Sequence, residues 1–443
     1  MEPFVFHLDT RIIFSRHALD HLGPECARLG NRVLLVYGRQ HCRESGLYRR
    51  ATEALAAAGI SWLEYGGIHP NPTLSQVRQG IALARKHGVQ AVVAVGGGSV
   101  MDSAKAMAAG ACVDHDVWLF FRGKKSIRRA LPVLCVPTVA GSGSECNHGV
   151  VLTNDANQQK IGIGNRHLLP AAALMDPELT ATVGWPQTLY GAVDTLSHLL
   201  EFFCTTNTPA PDKPTAKDPS GAERNRPRAI NAAPNRSRLQ VSDHGVPQDA
   251  VPCDRLRLQD RLATGLIISV MESCEKLREQ PADYQSRAEL LWASALALSG
   301  INTAGRGRIY MPAHLLAHAL GGRYNLAHGA ALAAVLPAWL RFAASRNPER
   351  IAAWAKTVFP VADESPAEGE TTTTARANAG IRAWVNWLTA MGAPTGLADL
   401  GIRTDAAELE ALVDHALPQA RLWRLPYDRD DLLAILSAAP MGK

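Results

Sequence analysis

The stretch AVVAVGGGSVMDSAKAMAAG, residues 91–110, decides the fold class of this 443-residue chain. A run of alanine and valine leads into three consecutive glycines, and small residues at helical spacing follow. This order predicts a strand, a tight turn and a helix. Because glycine lets a ligand approach the backbone and a helix start favours phosphate, the turn is a candidate diphosphate loop. A tight βα turn alone also explains the glycines, and the spacing is not the usual GxGxxG.

Similar units precede this stretch. The runs RVLLVYG, from Arg32, and WLEYGGI, from Trp62, predict strands. Helices are predicted over residues 48–58 and from a Thr73 cap to His87. This alternation of strands and helices predicts an α/β Rossmann-like domain built on a parallel sheet.

A second small-residue loop follows the next predicted strand. The run LPVLCVPT, residues 131–138, leads directly into VAGSGSE. In open parallel sheets, ligands bind in the crevice outside the carboxyl ends of the strands. Two small-residue loops at that edge favour a nucleotide site over a purely structural role for the glycines.

The character of the chain changes after Pro186, where strand-like runs stop and segments with helical spacing take over. We expect a dinucleotide-binding α/β domain over residues 1–185 and an all-helical, metal-binding catalytic domain over residues 186–443. Helices are predicted at residues 189–204, 256–278, 286–298, 313–320, 329–344, 381–391 and 406–415.

Two segments are expected to lie outside the packed helices. Residues 205–252 hold eight of the 27 prolines in the chain and no aromatic residue. Such a segment has too little apolar surface to fold, so it is predicted to be a disordered insertion in the helical domain. The threonine run at residues 371–374 is expected to be a shorter exposed linker.

Three histidines punctuate the apolar run PAHLLAHALGGRYNLAHG, residues 312–329. His314 and His318 are four residues apart, so their side chains lie on one face of a helix. The glycine pair at residues 321–322 is expected to end that helix and return the chain, which brings His328 towards the same point.

A second pair with this spacing lies upstream, in VDTLSHLLEFF. Asp194 and His198 are four residues apart on an apolar helical segment. One carboxylate and two or three imidazoles from two buried helices suit a divalent ion such as Zn²⁺ or Fe²⁺. Each histidine taken alone is equally well explained as a core or cap residue, but two such pairs favour the metal.

Composition excludes several classes of protein. The net charge of +5 is small for this length, so a nucleic-acid partner is not indicated. Eight cysteines without CxxC spacing predict reduced thiols. The amino terminus lacks the basic region of a signal peptide, and apolar runs fall short of a membrane span. We therefore expect a cytoplasmic protein with no membrane partner.

Together the motifs GGGSVMDSAKA, PTVAGSGSE, GAVDTLSH and HLLAHALGGRYNLAHG resemble the iron-containing (group III) alcohol dehydrogenases. The stretches YGxxxxxxSG and GGIxPNPT are similar to the NADPH-dependent aldehyde reductase and butanol dehydrogenase branch. The resemblance runs from Phe4 to about Ala439, apart from the proline-rich insertion. It implies the dehydroquinate synthase-like fold, in which an α/β domain precedes an all-helical domain.

The resemblance also implies roles for the site residues. Asp194, His198, His314 and His328 match the family's metal ligands. His318 matches the histidine beside the nicotinamide that is assigned to proton relay. The family's TTAGTGSE is TVAGSGSE here, so Val139 replaces a threonine.

Residues that match cofactor-binding positions of the family are Gly97, Gly98, Ser99 and Asp102 in the diphosphate loop, and Asn71, Thr138, Ser142 and Lys160 elsewhere. Cofactor choice is predicted from the first apolar strand, which runs into Gly38 and Arg39 with no acid until Glu44. An acid at such a strand end reads the ribose of NAD and repels a 2′-phosphate. Its absence, the space at Gly38 and the guanidinium of Arg39 favour NADP over NAD.

The implied activity is hydride transfer between NAD(P)H and an aldehyde–alcohol pair by a metal-dependent alcohol dehydrogenase or aldehyde reductase. The family's habit predicts a homodimer. Alternatives on the same fold are a dehydroquinate synthase-like lyase, a glycerol dehydrogenase-like metalloenzyme, or a non-catalytic binding scaffold. No basic residues suited to the phosphorylated substrate of the lyase stand out. The intact ligand set argues against a scaffold.

Overall fold

Eight strands lie in the first 175 residues of the computed structural model, which describes residues 1–206, 257–359 and 371–438. They are β1 (Arg11–Phe14), β2 (Arg32–Tyr37), β3 (Ser61–Tyr65), β4 (Ala91–Gly96), β5 (Val133–Pro137), β6 (Gly149–Asn154), β7 (Gln159–Gly164) and β8 (Ala172–Met175). Six of them form a parallel sheet in the order β1-β8-β5-β4-β2-β3, and β6 and β7 form an antiparallel hairpin.

The helices of this part are α1 (Leu22–Ala27), α2 (His41–Glu44), α3 (Leu47–Ala57), α4 (Leu74–Lys86), α5 (Gly98–Gly110) and α6 (Trp118–Phe121). Successive residues of a strand point to opposite faces of the sheet. On β2, Leu34 and Val36 pack with α4 and α5, whereas Val33 and Leu35 pack with α1 and α3. The central strands are apolar throughout because helices cover both faces.

The remaining described elements are helices: α7 (Trp185–Thr205), α8 (Arg257–Glu279), α9 (Tyr284–Leu298), α10 (Pro312–Tyr324), α11 (His328–Arg346), α12 (Pro348–Val358), α13 (Thr372–Met391), α14 (Ala406–Trp423) and α15 (Arg429–Ser437). Their apolar faces form one large core cluster. The predicted combination of a parallel-sheet α/β domain and an all-helical domain is therefore confirmed. We propose a domain boundary at residues 185–186, because the last strand ends at Met175 and α7 begins at Trp185.

Two local predictions were wrong. Residues 321–322 do not end a helix, since α10 continues to Tyr324 and its left-handed cap is Asn325. Both glycines allow the β6–β7 hairpin to pack closely: a Cβ on Gly322 would lie 2.3 Å from the Gln158 carbonyl oxygen. The threonine run is not a linker, because Thr371 caps α13 by accepting a hydrogen bond from the Thr374 amide.

Several elements have no counterpart in the prediction, namely β1, the β6–β7 hairpin, β8 and the helices α1, α2, α6, α12 and α15. Thr205 and Thr206, the first two residues of the predicted insertion, are buried at the end of α7. The rest of that prediction, residues 207–252, falls outside the described residues. Within the described ranges, every helix is too short or too polar to cross a bilayer.

Candidate metal and cofactor site

One carboxylate oxygen, Asp194 Oδ1, is the point on which three imidazoles converge. Its distances to Nε2 of His198, His314 and His328 are 3.7, 3.4 and 3.6 Å. α7 carries Asp194 and His198 one turn apart, α10 contributes His314, and α11 begins with His328. Asp194, His198 and His314 are buried, whereas the His328 side chain is 26% exposed. The cluster therefore opens on the His328 side.

The donor atoms of this cluster fit a metal ion. Asp194 Oδ1 and His314 Nε2 are buried without a hydrogen-bond partner, which is costly unless another group satisfies them. Ligand atoms of Asp194, His198 and His314 all lie within 4.8 Å of one another. One oxygen and three imidazole nitrogens form a set that both Zn²⁺ and Fe²⁺ accept.

Glu201, which the sequence analysis missed, orients one of these imidazoles. It is fully buried on α7, and its Oε2 contacts His314 Nδ1. Its Oε1 accepts hydrogen bonds from the backbone amides of Ala313, at 2.6 Å, and His314, at 3.3 Å. Glu201 therefore satisfies the first turn of α10 and leaves His314 Nε2 directed at Asp194. A signal was present, because Glu201 lies seven residues after Asp194 on the same helix face.

The electrostatics of the cluster favour a charged aspartate, an uncharged His198 and a protonated His314. Burial opposes ionisation of Asp194, but His198, His328 and His314 hold its pKa below the usual range. Burial, reinforced by His314, lowers the pKa of His198 to about 3. Burial would also lower the pKa of His314, yet the carboxylates of Glu201 and Asp194 raise it to about 9. A metal ion replacing the proton on His314 would be held by the same charges.

His318 lies one turn beyond His314 but is held apart from the convergence point. Its Nδ1 is 2.8 Å from Nε2 of Gln419 on α14, and its ring meets the Trp423 ring at 5.6 Å. The ring centroids of His318 and His328 are 5.3 Å apart. Burial, together with the charges of His328 and Lys160, lowers the pKa of His318 well below its usual value. The ring is therefore uncharged at neutral pH.

The predicted diphosphate loop forms the turn between β4 and α5. Gly97 precedes the helix, and no side chain caps the first turn of α5. A Cβ on Gly98 would lie 2.5 Å from Ser142 Oγ, so this glycine brings the two small-residue loops together. Thr138 donates its amide to the Gly96 carbonyl at 3.2 Å, which joins the loops at the same sheet edge. This uncapped helix start fits a phosphate group.

Two residues of the predicted cofactor loop have partners within the chain. Asp102 accepts hydrogen bonds from Ser144 Oγ at 2.7 Å and from the Val151 amide at 2.8 Å. It thereby ties the second loop and β6 to α5, and burial raises its pKa. The Ser99 hydroxyl donates to the Pro70 carbonyl.

Asn71 and Lys160 link the α/β part to the metal-bearing helices. Asn71 Oδ1 accepts from Lys160 Nζ at 2.8 Å, and its Nδ2 donates to Asn325 Oδ1 at 2.8 Å and the Leu326 carbonyl at 3.1 Å. Both residues are buried. Burial lowers the pKa of Lys160 to about 8, although Asp194 and Asp102 act in the opposite direction. The structure therefore places these predicted cofactor residues against α10, with Lys160 near enough to Asp194 for their charges to interact.

Gly38 and Arg39 follow β2 at the carboxyl edge of the sheet. Arg39 is exposed, and no ion pair of the described residues includes it. The nearby acid, Glu64 on β3, contacts Arg43 at 2.7 Å and also accepts from Tyr37 and Tyr48. Among the described residues, the Arg39 guanidinium therefore has no ion-pair partner, whereas the Glu64 carboxylate is already paired with Arg43.

Comparison with known proteins gives full-length matches. The iron-containing alcohol dehydrogenase model matches residues 9–177, and the C-terminal model of the Fe-containing alcohol dehydrogenase family matches residues 252–440. The chain is 31% identical to the probable NADH-dependent butanol dehydrogenase 1 of Bacillus subtilis, over 99% of the chain and 100% of that protein. It is 29% identical to the NADPH-dependent aldehyde reductase YqhD of Escherichia coli, over 95% of both. The crystal structure of NADH-dependent butanol dehydrogenase A from Thermotoga maritima is similar with a TM-score of 0.83 and 33% identity, over 99% of both chains.

Proposed function

Since this chain belongs to the iron-containing alcohol dehydrogenase family, we propose that it transfers hydride between NAD(P)H and an aldehyde–alcohol pair at the histidine cluster. The observation that carries the proposal is the convergence of three Nε2 atoms on Asp194 Oδ1, with buried donor atoms left unsatisfied. Asp194, His198, His314 and His328 would hold the metal. The partly exposed His328 marks the side from which a substrate would reach it.

A divalent ion in this set would polarise an aldehyde oxygen and, in the opposite direction, favour ionisation of an alcohol. The family name favours iron, and the donor set accepts zinc equally well. The chain supplies the surroundings: Glu201 orients His314, and His318 stands beside His328 as the group proposed to exchange a proton with the substrate oxygen. The Lys160–Asn71 pair packs against α10, the helix that carries His314 and His318.

We propose that the nicotinamide cofactor binds along the carboxyl edge of the sheet, with its diphosphate on the start of α5. Residues assigned to this cofactor are Gly38, Arg39, Asn71, Gly97, Gly98, Ser99, Asp102, Thr138, Ser142 and Lys160. NADP is favoured over NAD, because Arg39 has no ion-pair partner among the described residues and the Glu64 carboxylate on the neighbouring strand β3 is already paired with Arg43. The relatives include enzymes named for either cofactor.

A homodimer and a cytoplasmic location complete the proposal. The described cysteines are all free, which suits a reducing compartment. β1 is the edge strand of the sheet, and the residues before it carry exposed apolar side chains. An edge strand with an apolar flank favours pairing with a second copy of the chain.

Metal analysis of the purified chain and an aldehyde panel with NADPH and NADH test this function. We expect about one Fe²⁺ or Zn²⁺ per wild-type chain, as one such site requires, and NAD(P)H oxidation with simple aldehydes. His328→Ala should lose metal and turnover with an unchanged circular dichroism spectrum. His318→Ala should keep the metal and react slowly.

The matched control is His17→Ala, which changes an exposed histidine outside the site and should resemble wild type. A wild-type chain that binds no metal, or a fully active His328→Ala variant, would contradict the proposed site.

A further inference from the structure

We propose that Gln419 is a positioning residue that sets which nitrogen of His318 carries the proton, an inference that rests on the function proposed above. Gln419 lies on α14, 101 residues beyond His318, and is 3% exposed. Its Nε2 is 2.8 Å from His318 Nδ1. Its Oε1 is buried and makes no hydrogen bond among the described residues. Within the described part of the chain, the side chain therefore makes one hydrogen bond, and its partner is His318.

The surroundings leave the His318 ring one orientation. The Trp423 ring stands edge-on to it, at 5.6 Å and 66°, and Trp423 is itself fixed by donating Nε1–H to the Gly162 carbonyl at 2.8 Å. On the hairpin side, a Cβ at Gly162 would lie only 3.3 Å from His318 Cε1. Because Nδ1 faces Gln419 on α14, Nε2 faces the opposite side of the ring. That nitrogen makes no hydrogen bond with any described residue and is not among the buried unsatisfied atoms, so it is reachable.

The amide of Gln419 suits both forms that a proton-transferring histidine must take. When Gln419 Nε2–H donates to His318 Nδ1, the neutral imidazole carries its proton on His318 Nε2. With the amide turned over, Gln419 Oε1 accepts from His318 Nδ1–H, and the lone pair of His318 Nε2 faces the open side of the ring. Oε1 has no competing partner among the described residues, so the amide can turn without breaking another bond.

Two substitutions separate this role from simple packing. Gln419→Met keeps the length and volume of the side chain but removes both ends of the hydrogen bond. Gln419→Glu keeps an acceptor and removes the donor, so it stabilises Nδ1–H permanently. Gln280→Met is the matched control, because Gln280 is exposed at the end of α8.

The experiment uses the zinc-loaded enzyme labelled with ¹⁵N-histidine, and His318→Gln assigns the signals. We expect an Nε2–H tautomer in wild type, an Nδ1–H tautomer in Gln419→Glu and averaged signals in Gln419→Met. For Gln419→Met we also expect kcat to fall about tenfold, a modest part of what general acid–base catalysis contributes. Its aldehyde KM and metal content should stay within about twofold of wild type, because the residue touches neither, and the solvent deuterium isotope effect on kcat should increase.

Signals of His318 that are identical in wild type, Gln419→Glu and Gln419→Met would overturn the inference. So would an unchanged kcat in Gln419→Met. A higher KM and a lower kcat, together with loss of metal, would show a structural role instead. The tautomer signals do not depend on turnover, so an inactive wild type that still shows them would count against the proposed function and not against the hydrogen bond.

Discussion

The proposed preference for NADP depends on the positive charge of Arg39. The Glu64 carboxylate on the neighbouring strand β3 is already paired with Arg43. We predict that wild type has a higher kcat/KM with NADPH than with NADH. A single hydrogen bond to a charged group contributes roughly 1.5–3 kcal/mol. Arg39→Ala should therefore reduce the NADPH:NADH ratio of kcat/KM by about tenfold or more.

The matched control for this measurement is Arg49→Ala, which removes an exposed arginine of α3 that faces Glu53. It should leave the ratio unchanged. Equal use of both cofactors by wild type, or an unchanged ratio in Arg39→Ala, would mean that another group contacts the ribose.

Glu145, the acid that ends the second small-residue loop, gives the stability a predictable pH dependence. Burial raises its pKa from 4.5 to about 7. Between these values the folded chain holds a proton that the unfolded chain has lost. The free energy of unfolding therefore decreases as the pH rises through this window, by about 3 kcal/mol in total.

Glu145→Gln removes this titration without changing the shape of the side chain. As the pH rises from 4.5 to 8, the free energy of unfolding of the variant should increase by about 3 kcal/mol relative to that of wild type. Urea unfolding at each pH measures this difference. Glu53→Gln, an exposed change on α3, should show no such trend. A difference between Glu145→Gln and wild type that does not vary with pH would refute the prediction.

The sequence predicted that the proposed metal ligands lie close together for a local reason, but it did not predict the residues that support them. Asp194 and His198 are one turn apart, and helical spacing places such pairs on one face whatever surrounds the helix. Glu201 gains its role only because the start of α10 packs against α7. Gln419 lies 101 residues from His318, and no local pattern joins them. Contacts between distant helices depend on packing, which periodicity does not encode.

The same limit explains the error at residues 321–322. Glycine disfavours a helix interior, and its commonest place near a helix end is the cap, so the pair indicated a stop. The helix continues because the β6–β7 hairpin crosses it, and only glycine leaves room for the Gln158 carbonyl and the Lys160 ammonium. The hairpin was itself missed, since its glycine-containing strands lack an apolar alternation. Two elements that need each other were therefore both absent from the prediction.

The two ends of the predicted insertion are anchored independently of the residues between them. Thr205 Oγ1 donates to the Tyr310 carbonyl at 3.1 Å, and Thr206 Oγ1 accepts from Arg306 at 3.2 Å. Asp260, on the far side, accepts from Arg306 at 2.8 Å and from Arg350 at 2.7 Å. These buried contacts fix the end of α7 beside the start of α8.

Replacing residues 207–252 with a short Gly-Ser linker should therefore leave folding and aldehyde reduction intact. A shorter loop costs less closure entropy, so we expect the free energy of unfolding to increase by only about 1–2 kcal/mol for a linker of about ten residues. Asp260→Asn in the otherwise intact chain is the contrasting variant, because it removes the negative charge that pairs with two buried arginines. It should lower the free energy of unfolding by about 3 kcal/mol or more. Urea unfolding and kcat/KM measure both. A large loss on deletion would show that the insertion contributes to the folded site.

The two halves of the chain build the site jointly. The α/β part supplies the loop before α5 and the Asn71–Lys160 pair, and the helical part supplies every proposed metal ligand. Asn71 donates across to Asn325 and Leu326, and α14 holds the hairpin through Trp423 and Gly162. In the proposed reaction, the nicotinamide and the substrate carbonyl must lie close together. These contacts between the halves provide that proximity.

Exposed apolar side chains before β1 indicate how two chains would associate. Val5 is 97% exposed, Phe4 52% and Phe6 46%, and they precede β1, which pairs only with β8 among the described strands. The Phe14 ring at the end of β1 meets the exposed Trp292 at 6.0 Å. An apolar flank beside an unpaired strand edge is rarely left uncovered in a soluble protein. We therefore expect a dimer in which these segments from two copies cover each other.

The double substitution Val5→Asp and Phe6→Asp places two like charges on each side of that contact, four in a two-fold dimer. It should shift the mass measured by light scattering from dimer to monomer at micromolar concentration, because a stable interface of about 800 Å² per partner tolerates few buried unpaired charges. Ala57→Asp with Ala82→Asp adds the same charge to exposed positions of α3 and α4 and should leave the dimer intact. The histidine cluster is built within one chain, so the monomer should keep its metal. A monomeric wild type would contradict the proposed dimer. A Val5→Asp/Phe6→Asp variant that remains dimeric would show that the contact lies elsewhere.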